Sequence, residues 1–117
     1  MNIIVKSRHM NSSDSLKEYV DNKCQRLPRY YDGIQSVEVI LDHEADQSLS
    51  EIIVTARKKH TFVATNRADD MYASIDGCVD KIAQQLRRFK DKVRDRQAVS
   101  SGELAQRAIE ERENNES

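Results

Sequence analysis

Residues 69–96 read DDMYASIDGCVDKIAQQLRRFKDKVRDR, and the spacing of their apolar side chains decides what the rest of the chain must do. Met71, Ile75, Val79, Ile82, Leu86, Phe89 and Val93 recur at steps of four, four, three, four, three and four. Positions three and four apart share one face of an α-helix. The stripe persists for six turns or more of a helix about 40 Å long at ~1.5 Å per residue. Asp69 stands where an N-cap is expected, its carboxylate free to accept from an unpaired N–H of the first turn. Gly77 interrupts good helix formers at a cost of roughly 1 kcal/mol relative to Ala, which close approach to a neighbouring helix or sheet would offset.

Working back from that helix, the period changes to two. Residues 61–66 form an expected strand with Phe62 and Ala64 facing one way and Val63 and Thr65 the other. Arg57-Lys58-Lys59-His60 reads as a basic turn, and before it Ile52, Val54 and Ala56 alternate with Glu51, Ile53, Thr55 and Arg57. Residues 43–48 read as a polar loop, preceded by Val37, Val39 and Leu41 in alternation with Glu38, Ile40 and Asp42. Such alternation marks half-buried strands. Asp32-Gly33 marks a turn and Pro28 a helix stop. Leu16, Tyr19/Val20, Cys24 and Leu27 make residues 13–27 an amphipathic helix capped by Ser13, with Asp14 complementing the dipole. Residues 2–8 form a first strand, Ile3 and Val5 opposite Ile4, Lys6 and Arg8. The order β-α-β-β-β-α predicts an α+β two-layer sandwich. Two helices cover one face of a four-stranded, mostly antiparallel sheet, and water covers the other. Residues 1–96 form this domain. After Ser100-Ser101-Gly102 the sequence turns polar and acidic, so residues 97–117 are expected to be a largely disordered tail.

Composition narrows the function. Hydrophobic residues at 38% suffice for one core, and charged residues at 33% imply a densely charged surface. There is neither a signal-peptide pattern nor a membrane-length apolar run. Cys24 and Cys78 fall on apolar helix faces, which favours inert core thiols in a reducing compartment over a disulfide or a redox pair. The expected location is the cytoplasm. His9, His43 and His60 are scattered, without metal-ligand spacing. His43-Glu44 is the nearest approach to an acid–base pair, and adjacent residues usually point apart. With three glycines in all, no phosphate-cradling loop is present. The chain reads as a non-enzyme without cofactor or metal.

The net charge of −1 conceals a strong asymmetry: residues 1–96 carry +2 and residues 97–117 carry −3, while residues 81–96 alone carry +5. On a helical projection Lys81, Arg88 and Lys92 form one row beside the apolar stripe. Arg87, Lys90 and Arg94 form a second row on its other side. Asp76, Asp80, Asp91 and Asp95 lie in the outer strip between them. A solvated face laced with ion pairs would look similar. The basic excess continues, however, in Lys23, Arg26 and Arg29 at the end of the first helix, and in Lys6, Arg8 and Arg57-Lys58-Lys59 on the strands. DNA-reading motifs are absent, and aromatic platforms for single strands are thin, since Phe62, Phe89 and the tyrosines read mostly as core or helix-junction residues. What remains is recognition of folded RNA by shape and phosphate.

The run Asp70-Met71-Tyr72-Ala73-Ser74-Ile75-Asp76-Gly77, then Asp80-Lys81-Ile82 and Gln85-Leu86-Arg87-Arg88-Phe89-Lys90-Asp91-Lys92, resembles the ribosome hibernation promoting factor / ribosome-associated inhibitor family, also labelled sigma-54 modulation proteins. Arg8-His9, Leu16, Tyr19-Val20, Lys23, Leu27 and Tyr30-Tyr31-Asp32 agree with it in order and distance. The resemblance covers about residues 1–96. It implies a fold related to double-stranded-RNA-binding domains and binding to the small ribosomal subunit, through its rRNA, in the channel for mRNA and the A- and P-site tRNAs. That occupancy would silence ribosomes in stationary phase or stress. Carried over by position, the contacts would be Lys81, Arg88 and Lys92, supported by Arg87, Lys90, Arg94, Lys23, Arg26 and Arg29. Gln84 stands where many members carry Arg, and Arg87 adds a charge where many have none. The length resembles short members without a dimerisation domain, so a monomer off the ribosome is expected, with no membrane or DNA partner. The tail resembles that of the short type opposing ribosome pairing, whereas the tail-less type promotes it. The alternative reading is a protein-interaction regulator, such as a sigma-factor modulator, using the open sheet face or the acidic tail.

Overall fold

A computed structural model describes residues 1–98, with side chains placed as far as Arg94. In chain order the elements are β1 (Asn2–Arg8), α1 (Asp14–Cys24), β2 (Ile34–Glu44), β3 (Gln47–Ala56), β4 (Thr61–Ala68) and α2 (Met71–Ala98). Short 3₁₀ turns at Leu27–Arg29 and Arg57–Lys59 complete them. The expected α+β order is therefore realised. The sheet runs β1-β2-β3-β4. β1 is parallel to β2 because α1 carries the chain back across the sheet. β2–β3 and β3–β4 are antiparallel hairpins.

The register explains the layers. Val37 lies opposite Val54, and Val39 opposite Ile52, which in turn lies opposite Ala64. These side chains share the face under both helices, and all are buried. Leu16, Val20 and Cys24 of α1 and Ile75, Cys78, Ile82 and Leu86 of α2 close the core from above. A fully buried Val, Leu or Ile contributes ~1.5–3 kcal/mol, so this one stripe on α2 is a leading source of stability. The opposite sheet face carries Ile4, Lys6, Glu38, Glu51, Val63 and Thr65, and Ile4 and Val63 are both exposed there.

Three local expectations need correction. Residues 43–48 are not a loop: β2 and β3 continue until Glu44 pairs with Gln47, leaving a two-residue turn of Ala45 and Asp46. Ala45 supplies the positive φ of 55° that such a turn demands, a conformation more often given to Gly or Asn. The α-helical part of residues 13–27 stops at Cys24, under the expected Ser13 cap, and Pro28 sits inside the 3₁₀ turn that follows. The N-cap of α2 is Asp70 rather than Asp69. The Asp70 carboxylate accepts from the Ala73 N–H at 3.2 Å, whereas Asp69 accepts from Gln47 Nε2 at 2.6 Å and ties the helix start to β3. α2 itself ends at Ala98, and residues 99–117 of the expected tail lie outside the described residues.

Gly77 marks the close approach anticipated for it. A Cβ there would overlap the Asn66 amide nitrogen. That amide donates to the Ser74 carbonyl at 3.0 Å, and the Ser74 hydroxyl donates to the Asn66 carbonyl at 3.1 Å. Ser50 joins the group by donating to the same Ser74 carbonyl at 2.9 Å. A satisfied polar network thus pins α2 to β3 and β4 at one height.

Candidate nucleic-acid interface

The two basic rows of α2 flank different neighbours. Lys81 leans over β4, the sheet edge, and donates from Nζ to the Thr65 carbonyl at 2.8 Å. One turn on, Gln85 Nε2 donates to the Val63 carbonyl at 2.9 Å. These side chains occupy edge carbonyls that would otherwise invite a further strand. A carbonyl orients an ammonium group without cancelling its charge, and Lys81 keeps donors to spare. Arg88 is exposed and has no ion pair among the described residues, while Lys92 is half-buried.

The second row turns toward α1 and the turns. The Arg87 guanidinium lies over the Tyr30 ring, 4.9 Å from its centroid. Such a contact positions the cation and leaves its charge outward. Lys90 and Arg94, with Tyr31, Asp32, Arg57 and Val93, line a cavity of about 300 Å³. Arg94 is partly neutralised by Asp91 at 2.8 Å.

The α1 group divides likewise. Lys23 meets Asp76 of α2 at 3.4 Å and lies 5.4 Å from the Tyr19 ring centroid. Tyr19 donates its hydroxyl to the same carboxylate at 2.5 Å. That hydrogen bond, with burial, pushes the Tyr19 phenol up to about 12. Lys23 is therefore spent on the joint between the helices, and a carboxylate largely neutralises it. Arg26 lines a groove of about 240 Å³ with Lys23, Tyr30, Asp76, Val79 and Asp80. Arg26 and Arg29 are exposed. Accordingly the α1 cations adjoin the Arg87 row, through Tyr30, and the Lys81 row lies on the far side of α2.

Sequence reasoning counted Arg57 in the basic excess but did not place it among the RNA contacts; the fold brings it to this surface from the β3–β4 turn. It meets Asp32 at 3.4 Å and lies 5.9 Å from the Tyr31 ring centroid. Its neighbours are distant in sequence, so only the hairpin register could have revealed the grouping. Arg8, Arg67 and Lys81 also surround a cavity of about 400 Å³, but Asp42 and Glu51 share it. The balance of charge there is mixed.

Nothing catalytic assembles among the described residues. His43 and Glu44 are consecutive on β2 and so project to opposite faces. Among the described residues no three His, Cys, Asp or Glu side chains gather as a metal site. Burial pushes the Cys24 thiol up to about 12 and raises Cys78 as well. Thiols held protonated in a core are poor nucleophiles. No described helix is long and apolar enough to cross a membrane.

With this geometry in view, the comparisons with known proteins take on meaning. The family described as sigma 54 modulation protein / S30EA ribosomal protein matches residues 3–94. The chain belongs to that family. The ribosome hibernation promoting factor of Salmonella typhimurium is 33% identical over 96 residues, covering 80% of this chain and 98% of the relative. That of Azotobacter vinelandii is 34% identical over 97 residues, covering 83% and 90%. The Protein Y N-terminal domain of Thermus thermophilus superposes with a TM-score of 0.70 at 32% identity, covering 76% of this chain and 99% of that one. A ribosomal subunit interface protein from Coxiella burnetii gives 0.73 at 24% identity, covering 78% and 99%, a likeness of fold. This S30EA family member is thus a homologue of hibernation promoting factors, and the family is not enzymatic. Homology places it in ribosome hibernation and translation regulation.

Proposed function

We propose that this protein binds the small ribosomal subunit in the channel used by mRNA and the A- and P-site tRNAs, and silences translation by filling it. The observation that carries this reading is the pair Lys81 and Arg88 on one rigid helix. Lys81 is held in place by a carbonyl, Arg88 is exposed, and neither makes an ion pair among the described residues. A rigid helix presenting such cations suits the phosphate lattice of folded RNA, where backbone contacts position the protein and shape selects the site. Lys92 continues that row, and Arg26, Arg29, Arg87 and Lys90 supply a second line. Lys23 and Arg94, each facing a carboxylate, contribute less. The mechanism is steric and needs no cofactor. The reading places the protein in the cytoplasm, acting in stationary phase or stress.

Replacing Lys81, Arg88 and Lys92 together by Ala should weaken co-sedimentation with purified small subunits at least tenfold and leave the circular dichroism spectrum unchanged. Wild-type affinity should also fall steeply with salt, by roughly 0.7–0.9 log–log units per phosphate contact. Undiminished co-sedimentation of the triple variant, or a wild-type affinity indifferent to salt, defeats the proposal.

A further inference from the structure

The β3–β4 hairpin turns through Arg57-Lys58-Lys59-His60, closed by the His60 N–H on the Arg57 carbonyl at 3.4 Å. Lys58 (φ 60°, ψ 28°) and Lys59 (φ 62°) are both left-handed. Two consecutive left-handed residues match the twist of a hairpin, and Asn-Gly is the pair that adopts them with least strain. L-residues with a full side chain resist this conformation. The fold nevertheless places two lysines there, adjacent to Arg57.

These lysines do no visible work for the fold. Lys58 and Lys59 are exposed, and neither ammonium group makes a hydrogen bond or ion pair among the described residues. The tip that carries them is well anchored. Arg57 N–H donates to the Gly33 carbonyl at 3.0 Å, the Thr61 hydroxyl donates to the Lys59 carbonyl, and the His60 ring packs 4.5 Å from that of Phe89 on α2. Through His60 the tip rests on the part of α2 that carries Lys90, whose cavity Arg57 also lines. Strained backbone persists where the surroundings over-determine it, and it gathers at functional positions.

We infer that the β3–β4 tip is a second phosphate-binding site, in which Lys58 and Lys59 grip the backbone of folded RNA at a point separate from the Lys81–Arg88–Lys92 row. This rests on the proposed binding to the small subunit and adds a contact that the helices alone would not make. The left-handed turn holds two adjacent cations at a fixed spot, so they approach the RNA with little backbone freedom left to lose.

Two double variants separate charge from backbone. K58N/K59G removes both charges and relaxes the turn, whereas K58Q/K59Q removes both charges and keeps its strain. Binding to purified small subunits, measured across a salt series, should weaken in both variants by a similar factor, about five- to tenfold at moderate salt. The log–log salt slope should become shallower by about one to two units. Melting temperature should rise in K58N/K59G alone, which also certifies that variant as folded. Wild-type affinity and slope in both variants would overturn the inference, and so would a loss confined to K58N/K59G, which would trace to backbone rather than charge. Wild-type protein that fails to bind small subunits at all would instead defeat the proposed function, so the two failures are distinguishable.

Discussion

Gly77 shows how one missing Cβ fixes the seating of a helix. In isolation, Ala at this position would favour the helix by roughly 1 kcal/mol. In the fold, the new methyl would meet the Asn66 carboxamide, which is held by its bond to the Ser74 carbonyl. Relief requires either breaking that bond beneath α2 or lifting the helix off β4. Forcing a methyl into such a packed contact typically costs about 1–3 kcal/mol, enough to offset the gain in propensity. Gly77→Ala should therefore lower stability by as much as about 2 kcal/mol in urea unfolding. An unchanged or raised midpoint would show that Asn66 yields freely. The sequence showed that Gly77 was out of place in a helix and raised close approach as the reason. It could not name Asn66, which lies eleven positions away and arrives only through strand register.

At the scale of elements, α2 is held at its start by two neighbouring aspartates with different tasks. Asp70 caps the Ala73 N–H, and Asp69 accepts from Gln47 on β3. A lost N-cap typically costs ~1 kcal/mol, while an exposed hydrogen bond between side chains is worth less. Asp70→Ala should thus destabilise more than Asp69→Ala, by about 0.5–1 kcal/mol in thermal or denaturant melts; the reverse order would restore Asp69 as the cap. Periodicity made every strand and helix legible, because a two-layer sandwich imposes a clean apolar alternation on its strands and a clean apolar stripe on its helices. Element ends were less legible. Glu44-Ala45-Asp46-Gln47 contains no Gly, Asn or Pro to announce a tight turn, so residues 43–48 resembled a loop. The candidate site followed the same divide. The helical projection found both rows of cations, since their spacing is local. It could not tell that Lys81 would rest on a carbonyl and Lys23 on a carboxylate, a difference that decides how much charge each offers to RNA.

At the scale of the whole molecule, Tyr19 and Cys24, both on α1, hold their protons well above their ordinary range. Tyr19 donates across the α1–α2 joint to Asp76, and its phenol is pushed up to about 12 because the hydrogen bond and burial favour the protonated form. Cys24, on the inner face of α1, is pushed to about 12 chiefly by burial, and Cys78 on α2 shifts in the same direction. In the unfolded chain the thiols and the phenol ionise near their ordinary values, 9.0 and 10.0. Between those values and about 12 the unfolded chain therefore binds fewer protons than the folded one. Stability must then fall as pH rises through that window, and these groups impose no such slope below pH 9. The joint also fixes the angle between the cations of α1 and those of α2, so alkaline loosening should begin at the surface proposed to meet RNA. Tyr19→Phe removes the phenol while keeping the ring against Tyr72, 4.8 Å away between centroids. Its loss of stability from about pH 10 to 12 should be shallower than that of the wild type. Cys24→Ala should lower stability at neutral pH through the cavity it leaves, yet flatten the decline from about pH 9 upward. Urea unfolding in steps from about pH 7 to about 12 reads both effects. If both variants parallel the wild-type decline, the alkaline weak point lies elsewhere, and the α1–α2 joint is not the hinge on which this surface depends.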